Sequence, residues 1–153
     1  MRTVQSWLDE YGVSHRNSTN KLIHWICVPA IFFSIVGFLY NIALPVHLGG
    51  LQLTVAHIAL ALVLIYYVRL SPSLAAGMLI FVLICLWLWR FIENHGIAPW
   101  KLSLAIFVLA WIGQFIGHKI EGAKPSFFKD LQFLLIGPAW LMSFVYKKAG
   151  IPY

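Results

Sequence analysis

Long apolar stretches separated by short polar breaks dominate the chain. Residues 25–68 contain no Asp, Glu, Lys or Arg, and apolar stretches resume after each of the polar breaks that follow. A helix needs ~20 apolar residues to cross the ~30 Å hydrocarbon core of a bilayer. The pattern therefore predicts four transmembrane helices, at about residues 24–44, 51–70, 74–92 and 100–117.

The N-terminal part of the chain differs from this apolar middle. Residues 3–14 place apolar side chains at helical spacing, with Asp9 and Glu10 on the other side, which predicts a short amphipathic helix at the membrane interface. Residues 17–19 are all of types favoured as N-caps. The next helix is therefore expected to begin near Asn20 and to run into the first span.

The C-terminal part is also irregular. A polar hairpin is predicted at 118–130, and the apolar stretch 131–146 that follows has only 16 residues, with Gly137 and Pro138 near its middle. A stretch this short and interrupted is compatible with a span and with a re-entrant or tilted helix. The pattern leaves that choice open.

The composition assigns the chain to the integral membrane proteins. Of its 153 residues, 61% are hydrophobic and 10% are charged, whereas soluble domains carry roughly 25% charged residues. A single small core could not bury this much apolar surface, so lipid must cover part of it. The predicted fold class is all-α, a polytopic membrane helical bundle. It forms one domain over residues 1–153, with an interfacial helix at the N-terminus and a short broken or re-entrant helix at the C-terminus.

The formal net charge of +6 is concentrated near the ends of the apolar stretches. No basic stripe or RNA-binding motif is present, so a nucleic-acid partner is not expected. Cations precede the first predicted span and the next loop carries none, which predicts a cytoplasmic N-terminus. Four spans would return the chain to that side. His15, His24 and His118 would then meet at one membrane face.

Polar side chains at this face share helical stripes. Asn20 and His24 are four residues apart, and Gln114, His118 and Glu121 follow one another at i, i+4 and i+7. Such side chains at the end of an apolar helix are costly unless they face protein, water or a metal. Neutral imidazole and carboxylate are ligands that iron and zinc accept, and the amide side chains could orient the imidazoles.

Two classes of function stay open from the residues alone. One is a metal-dependent enzyme, and the other is a non-enzymatic lipid-binding or scaffold protein whose histidines only hydrogen-bond across helix ends. The chain lacks the HxxxH and HxxHH pairs of membrane diiron desaturases and hydroxylases, which argues against that class. The remaining histidines, His47, His57 and His95, are interpreted as ordinary interfacial or hydrogen-bonding residues.

Two groups of residues resemble those of a known family of small membrane proteins. The first is Tyr11-x3-His15-x-Asn17-x2-Asn20-x3-His24-x4-Pro29, and the second is Trp111-x2-Gln114-Phe115-x-Gly117-His118. Together with the closing LQFLLIGPAW segment, they resemble the yeast-type 2-hydroxy fatty acid dioxygenase family of phytosphingosine and odd-chain fatty acid metabolism. The resemblance covers nearly the whole chain.

The resemblance implies Fe(II)-dependent α-oxidation, in which a 2-hydroxy long-chain fatty acid and O₂ give the fatty acid one carbon shorter. The candidate metal ligands are then His15, His24 and His118. The candidate catalytic residues are Glu121, Gln114 and Asn20. Three-histidine ligation and ligation by two histidines and a carboxylate both stay open.

The expected surroundings are membrane lipid and a polar membrane face that receives the substrate head group. The cations that could pair with its carboxylate are Arg16, Lys21, Lys119 and Lys124, although positive-inside topology alone also accounts for them. Compact loops and the lack of a retention or targeting signal favour a bacterial inner membrane, with the endoplasmic reticulum as the eukaryotic alternative.

Overall fold

The computed structural model describes residues 3–122 and 133–153. Six α-helices and one β-hairpin form the described part: α1 Val4–Val13, α2 Ser18–Tyr40, β1 Ala43–Leu48, β2 Leu51–Thr54, α3 Val55–Leu70, α4 Pro72–Asn94, α5 Pro99–Glu121 and α6 Ile136–Ala149. The predicted helical fold class is confirmed, and the hairpin is an addition to it.

The first two helices form where the sequence predicts them. The Asn17 side chain accepts hydrogen bonds from the backbone N–H groups of Thr19, at 2.9 Å, and Asn20, at 3.3 Å. This N-cap satisfies backbone donors that have no partner within the helix. Helix α2 therefore begins at Ser18, two residues earlier than predicted, and α1 ends at Val13.

Three helices, α2, α4 and α5, are long and apolar enough to cross a membrane. They confirm the first, third and fourth predicted spans as helices of spanning length. The second prediction is wrong in extent, because its first four residues form β2 and α3 has only 16 residues, a length of about 24 Å. Gly49 and Gly50 turn the chain between the strands with φ of 54° and 80°. Glycine adopts such a backbone at no steric cost, so the uncharged loop folds as a hairpin.

Much of the surface of the long helices is apolar and exposed. Only 44%, 33% and 28% of the apolar windows of α2, α4 and α5 are buried within the protein. Leu62, Ile80 and Leu109 are among the large apolar side chains that are more than half exposed. A bilayer can cover such a surface where water cannot do so favourably. The described structure is therefore that of an integral membrane protein.

Helices α2 and α5 run antiparallel and pack closely against each other. On α5, Gly113 faces Cys27 of α2, and Gly117 faces Asn20. A Cβ atom at Gly113 would lie 2.5 Å from Cys27 Sγ, and one at Gly117 would lie 2.4 Å from Asn20 Oδ1. Small residues four positions apart let membrane helices approach this closely. The end of α5 consequently lies beside the beginning of α2.

Helix α6 packs against α1 and α4 near the same end of the α2–α5 pair. The Tyr146 hydroxyl donates a hydrogen bond to the Ser73 carbonyl, at 2.6 Å, and accepts one from the Gly77 N–H, at 3.0 Å. These bonds hold α6 to α4. On the other side of α6, the Trp140 ring lies 5.3 Å from the Tyr11 ring of α1, measured between centroids.

The predictions for the C-terminal part need correction. Helix α5 continues to Glu121, so the predicted hairpin at 118–130 begins as helix, and residues 123–130 lie outside the described residues. Gly137 and Pro138 lie in the first turn of α6, where proline is tolerated because its missing N–H has no helical partner to lose. The helix is therefore unbroken. The re-entrant path and the interfacial position of α1 stay predictions.

Candidate metal centre

Three buried histidines meet at the end of the α2–α5 pair. His15 lies in the loop before α2, His24 in the second turn of α2, and His118 in the last turn of α5; their exposures are 3%, 1% and 4%. One possible ligand atom from each lies within 4.8 Å of the other two. The ring centroids are 4.2 Å apart for His15 and His24, 5.1 Å for His24 and His118, and 5.7 Å for His15 and His118. The predicted convergence of these histidines is confirmed.

Backbone carbonyls fix the tautomer of two of the imidazoles. His15 Nδ1 lies 2.6 Å from the Tyr11 carbonyl, and His24 Nδ1 lies 2.9 Å from the Asn20 carbonyl. A carbonyl only accepts, so Nδ1 carries the proton in both rings, and the lone pair of each neutral imidazole is then on Nε2. Histidine ligands of metals are usually held in this way, with the second ring nitrogen donating to a carbonyl or carboxylate.

Aromatic side chains enclose His15. The Tyr11 ring stacks on it, with centroids 4.3 Å apart and planes at 14°, and the Trp140 ring lies at 5.3 Å. Such walls limit the access of water and lower the local dielectric constant, which strengthens ligation. Tyr11 and Trp140 both lie in the stretches that carry the family resemblance, but no role at the site was predicted for either. The position of Tyr11 four residues before His15 is the local signal that could have placed it here.

The Glu121 carboxylate binds the backbone at the start of α2. It accepts hydrogen bonds from the N–H groups of Arg16, at 2.7 Å, and Asn17, at 2.9 Å, and from Asn20 Nδ2, at 2.9 Å. A carboxylate at this position also complements the positive end of the helix dipole. Among the described residues, the three-histidine group does not include Glu121. The geometry therefore assembles the three-histidine set, with Glu121 beside it.

Asn20 joins the parts of the centre to one another. It is fully buried, its Nδ2 also donates to the Ser14 carbonyl at 3.2 Å, and its own carbonyl accepts from His24. The side chain is therefore held by the loop before α2 and by Glu121 of α5 at the same time. The backbone carbonyl of Asn20 contacts an imidazole directly, and that the Asn20 side chain helps to orient the imidazoles stays a prediction.

Gln114 lies one turn before His118 and is 4% exposed. With Tyr11, Val28 and Trp111 it lines a cavity of about 20 Å³, which is enough for one water molecule. Its Oε1 atom is buried and meets no hydrogen-bond partner among the residues that the structure describes.

The remaining histidines lie elsewhere. His57 Nδ1 accepts from the Thr54 N–H at 3.1 Å and caps α3. His95 Nδ1 donates to the Phe91 carbonyl at 2.8 Å, at the end of α4. His47 is exposed on β1. Their interpretation as ordinary hydrogen-bonding or surface residues agrees with these contacts.

A bundle of membrane-length helices with three buried histidines at one end defines an integral membrane protein with a candidate mononuclear metal centre. The family model described as 2-hydroxy-palmitic acid dioxygenase Mpo1-like matches residues 1–149, and the chain belongs to this family. A relative from Saccharomyces cerevisiae, named 2-hydroxy-palmitic acid dioxygenase MPO1, is 32% identical over 152 residues, which cover 97% of this chain and 83% of the relative. No solved structure matches the chain significantly. The resemblance drawn from the two residue patterns is thereby confirmed.

Proposed function

We propose that this protein is an Fe(II)-dependent dioxygenase that shortens 2-hydroxy long-chain fatty acids by one carbon. The observation that carries the proposal is the buried group of His15, His24 and His118, whose possible ligand atoms lie within 4.8 Å of one another. The family and the name of the yeast relative supply the substrate class. The site supplies a chemical reason for it.

The donor set fits ferrous iron. Neutral imidazoles are ligands of Fe(II), and three protein ligands leave coordination positions for a substrate and O₂. His15 and His24 present Nε2 because their Nδ1 atoms donate to backbone carbonyls. Bound Fe(II) would supply the electron transfer between substrate and O₂ that the oxidation requires.

The proposed reaction balances without an added reductant. R–CH(OH)–COOH and O₂ give R–COOH, CO₂ and H₂O: the bond between C1 and C2 breaks, C1 leaves as CO₂, and C2 becomes the new carboxyl carbon. The two carbons together lose four electrons, which reduce O₂ completely. Turnover of the purified protein should therefore need no nicotinamide or flavin cofactor.

The chain itself would position and shield the reactants. Arg16 and Lys21 line the same cavity as His15, so a substrate carboxylate there would meet two cations. Tyr11 and Trp140 would exclude water from the imidazoles. Glu121 would hold the loop that carries His15, through its bonds to the backbone after that residue.

The first test is metal content and turnover of the purified protein. We expect bound iron and conversion of 2-hydroxypalmitate to pentadecanoate, with both lost in the His24→Ala and His118→Ala variants. His95→Ala is the matched control, because that histidine is exposed at the far end of α4 and should leave both unchanged. Full iron content and activity in the His24 and His118 variants would reject the site. Absence of iron and turnover in the wild-type protein would favour the non-enzymatic alternative.

We also propose that the centre lies on the cytoplasmic side of the membrane, in a bacterial inner membrane or equally in the endoplasmic reticulum. The cations before α2 support this orientation. Ser18 and Asn94 are exposed at opposite ends of the bundle, and the native Cys27 and Cys85 are buried. A membrane-impermeant maleimide should label Ser18→Cys from the cytoplasmic side and Asn94→Cys from the opposite side. The reverse pattern would overturn the orientation.

A further inference from the structure

An open cavity of about 330 Å³ extends from the surface to the His15 side of the candidate metal centre. It lies between α1, the start of α2 and α6, and its polar wall combines His15 with Arg16 and Lys21. Asp9 is the one carboxylate among the described residues of the lining, and its Oδ1 atom accepts a hydrogen bond from Gln5 Nε2 at 2.6 Å. The two cations exceed this single negative charge, which suits the cavity to an anionic head group.

Phe144 lines a second cavity as well as the first. The second cavity is lined by Trp25 of α2 together with Phe144, Val145 and Lys148 of α6. The rings of Trp25 and Phe144 lie 6.2 Å apart, and the Phe144 ring meets that of Trp140 edge-on at 4.7 Å. Phe144 is therefore the wall common to the head-group cavity and the aromatic passage beside it.

An apolar groove of about 140 Å³ lies between α2, α4 and α6. Trp25 and Val145 line both the passage and the groove, so the two are immediate neighbours. The groove ends against Pro29, Met78 and Phe81. Pro29 lies eight residues beyond Lys21 on α2, about 12 Å deeper along the helix.

We propose that these three neighbouring cavities together bind the substrate of the proposed dioxygenase. The carboxylate and 2-hydroxyl lie beside His15, Arg16 and Lys21, and the alkyl chain passes Trp25 into the groove. This assignment rests on the proposed function and adds the path and orientation of the substrate.

Two properties distinguish this path from a surface groove that is filled by the surrounding bilayer lipids. One end reaches a buried imidazole through a cationic cavity, and the other is lined by apolar side chains alone. An amphiphile with a carboxylate head therefore matches both ends at once. Met78 and Met142 in the groove are unbranched and adaptable, which suits a flexible alkyl chain.

Photolabelling tests the path without requiring turnover. The full-length protein is reconstituted in phosphatidylcholine vesicles with 2-hydroxyhexadecanoic acid that carries a diazirine in mid-chain, and labelled peptides are located by mass spectrometry. We expect label on peptides containing Met78, Phe81 and Met142, removed by excess unlabelled 2-hydroxyhexadecanoate and unaffected by methyl hexadecanoate, which lacks the carboxylate. Label spread over outward-facing positions such as Leu109, with no response to the competitor, would overturn the path.

A pair of valine variants provides a second test. Val145 is 47% exposed and lines the junction, whereas Val108 on α5 is 48% exposed and lines none of the cavities described above. Val145→Trp should abolish the competable label in the groove while the protein retains its iron, and Val108→Trp should leave the label unchanged. Unchanged groove labelling in Val145→Trp would contradict the assignment.

The two proposals can fail separately. Turnover of 2-hydroxy acids without competitor-sensitive labelling of the groove would reject the proposed substrate path and keep the proposed dioxygenase activity. Labelling of the groove that the competitor removes, without iron or turnover, would reject the proposed dioxygenase activity. It would still support a binding site for lipids with a carboxylate head group.

Discussion

Gly117 is the position at which a single methyl group should most directly disturb the metal centre. It precedes His118, and a Cβ atom there would lie 2.4 Å from Asn20 Oδ1 and 3.4 Å from His24 Cε1. The Asn20 side chain cannot easily turn away, because it is fully buried and its Nδ2 is bonded to Glu121 and to the Ser14 carbonyl. Gly117→Ala should therefore move α5 away from α2, or break these bonds.

The size of the effect follows from two opposing terms. Overpacking of a tight contact typically costs 1–3 kcal/mol, while replacing a helical glycine by alanine returns roughly 0.5–1 kcal/mol. The net loss of stability is then only about 0–2.5 kcal/mol. Metal affinity should respond more strongly, because disturbing the groups that orient histidine ligands commonly costs about 10–100-fold.

The assay compares iron affinity and thermal stability in the same detergent for Gly117→Ala and Gly113→Ala. A Cβ atom at Gly113 would lie 2.5 Å from Cys27 Sγ, one turn further from the imidazoles. We expect similar small losses of stability in both variants but a loss of iron affinity mainly in Gly117→Ala. The Gly113 defect should be relieved by Cys27→Ala, which removes the opposing sulfur atom. Wild-type iron affinity in Gly117→Ala would refute the argument that this glycine sets the geometry of the centre.

Three further changes separate structural contacts from metal ligation. Glu121→Gln should lower the melting temperature, because the variant loses a charged acceptor of backbone N–H groups, a loss of about 1–2 kcal/mol. The variant should keep its iron. Loss of iron in a folded variant would indicate that the carboxylate is a ligand. Tyr146→Phe removes the bonds to Ser73 and Gly77 and should cost about 1–3 kcal/mol in thermal unfolding without altering iron content. Removal of metal from the wild-type protein with a chelator should abolish turnover and lower the melting temperature, and added Fe(II) should restore both. Full activity after complete removal of metal would exclude a metal-dependent reaction.

The sequence by itself determined the helical class of the protein and predicted which histidines meet. Apolar stretches of spanning length require helices in lipid, because a bilayer offers no other partner for backbone polar groups. His24 begins the first predicted span and His118 ends the fourth, so an even number of crossings predicted that the two would lie at the same end of the bundle. His15 followed from its short distance in sequence to His24.

Only the tertiary structure gave the contacts of Glu121 and the aromatic walls around His15. Glu121 lies on the same helical face as His118. That spacing fits a metal ligand as well as it fits a carboxylate that binds the N-terminal backbone of α2. Its contacts with Arg16 and Asn17, 105 and 104 residues earlier, show which donors it meets. The local periodicity of the sequence does not predict such long-range hydrogen bonds, nor the packing of Trp140 against His15. The hairpin before α3 had a local signal in Gly49-Gly50, but the apolar composition of residues 51–54 matches a membrane helix as well as a strand.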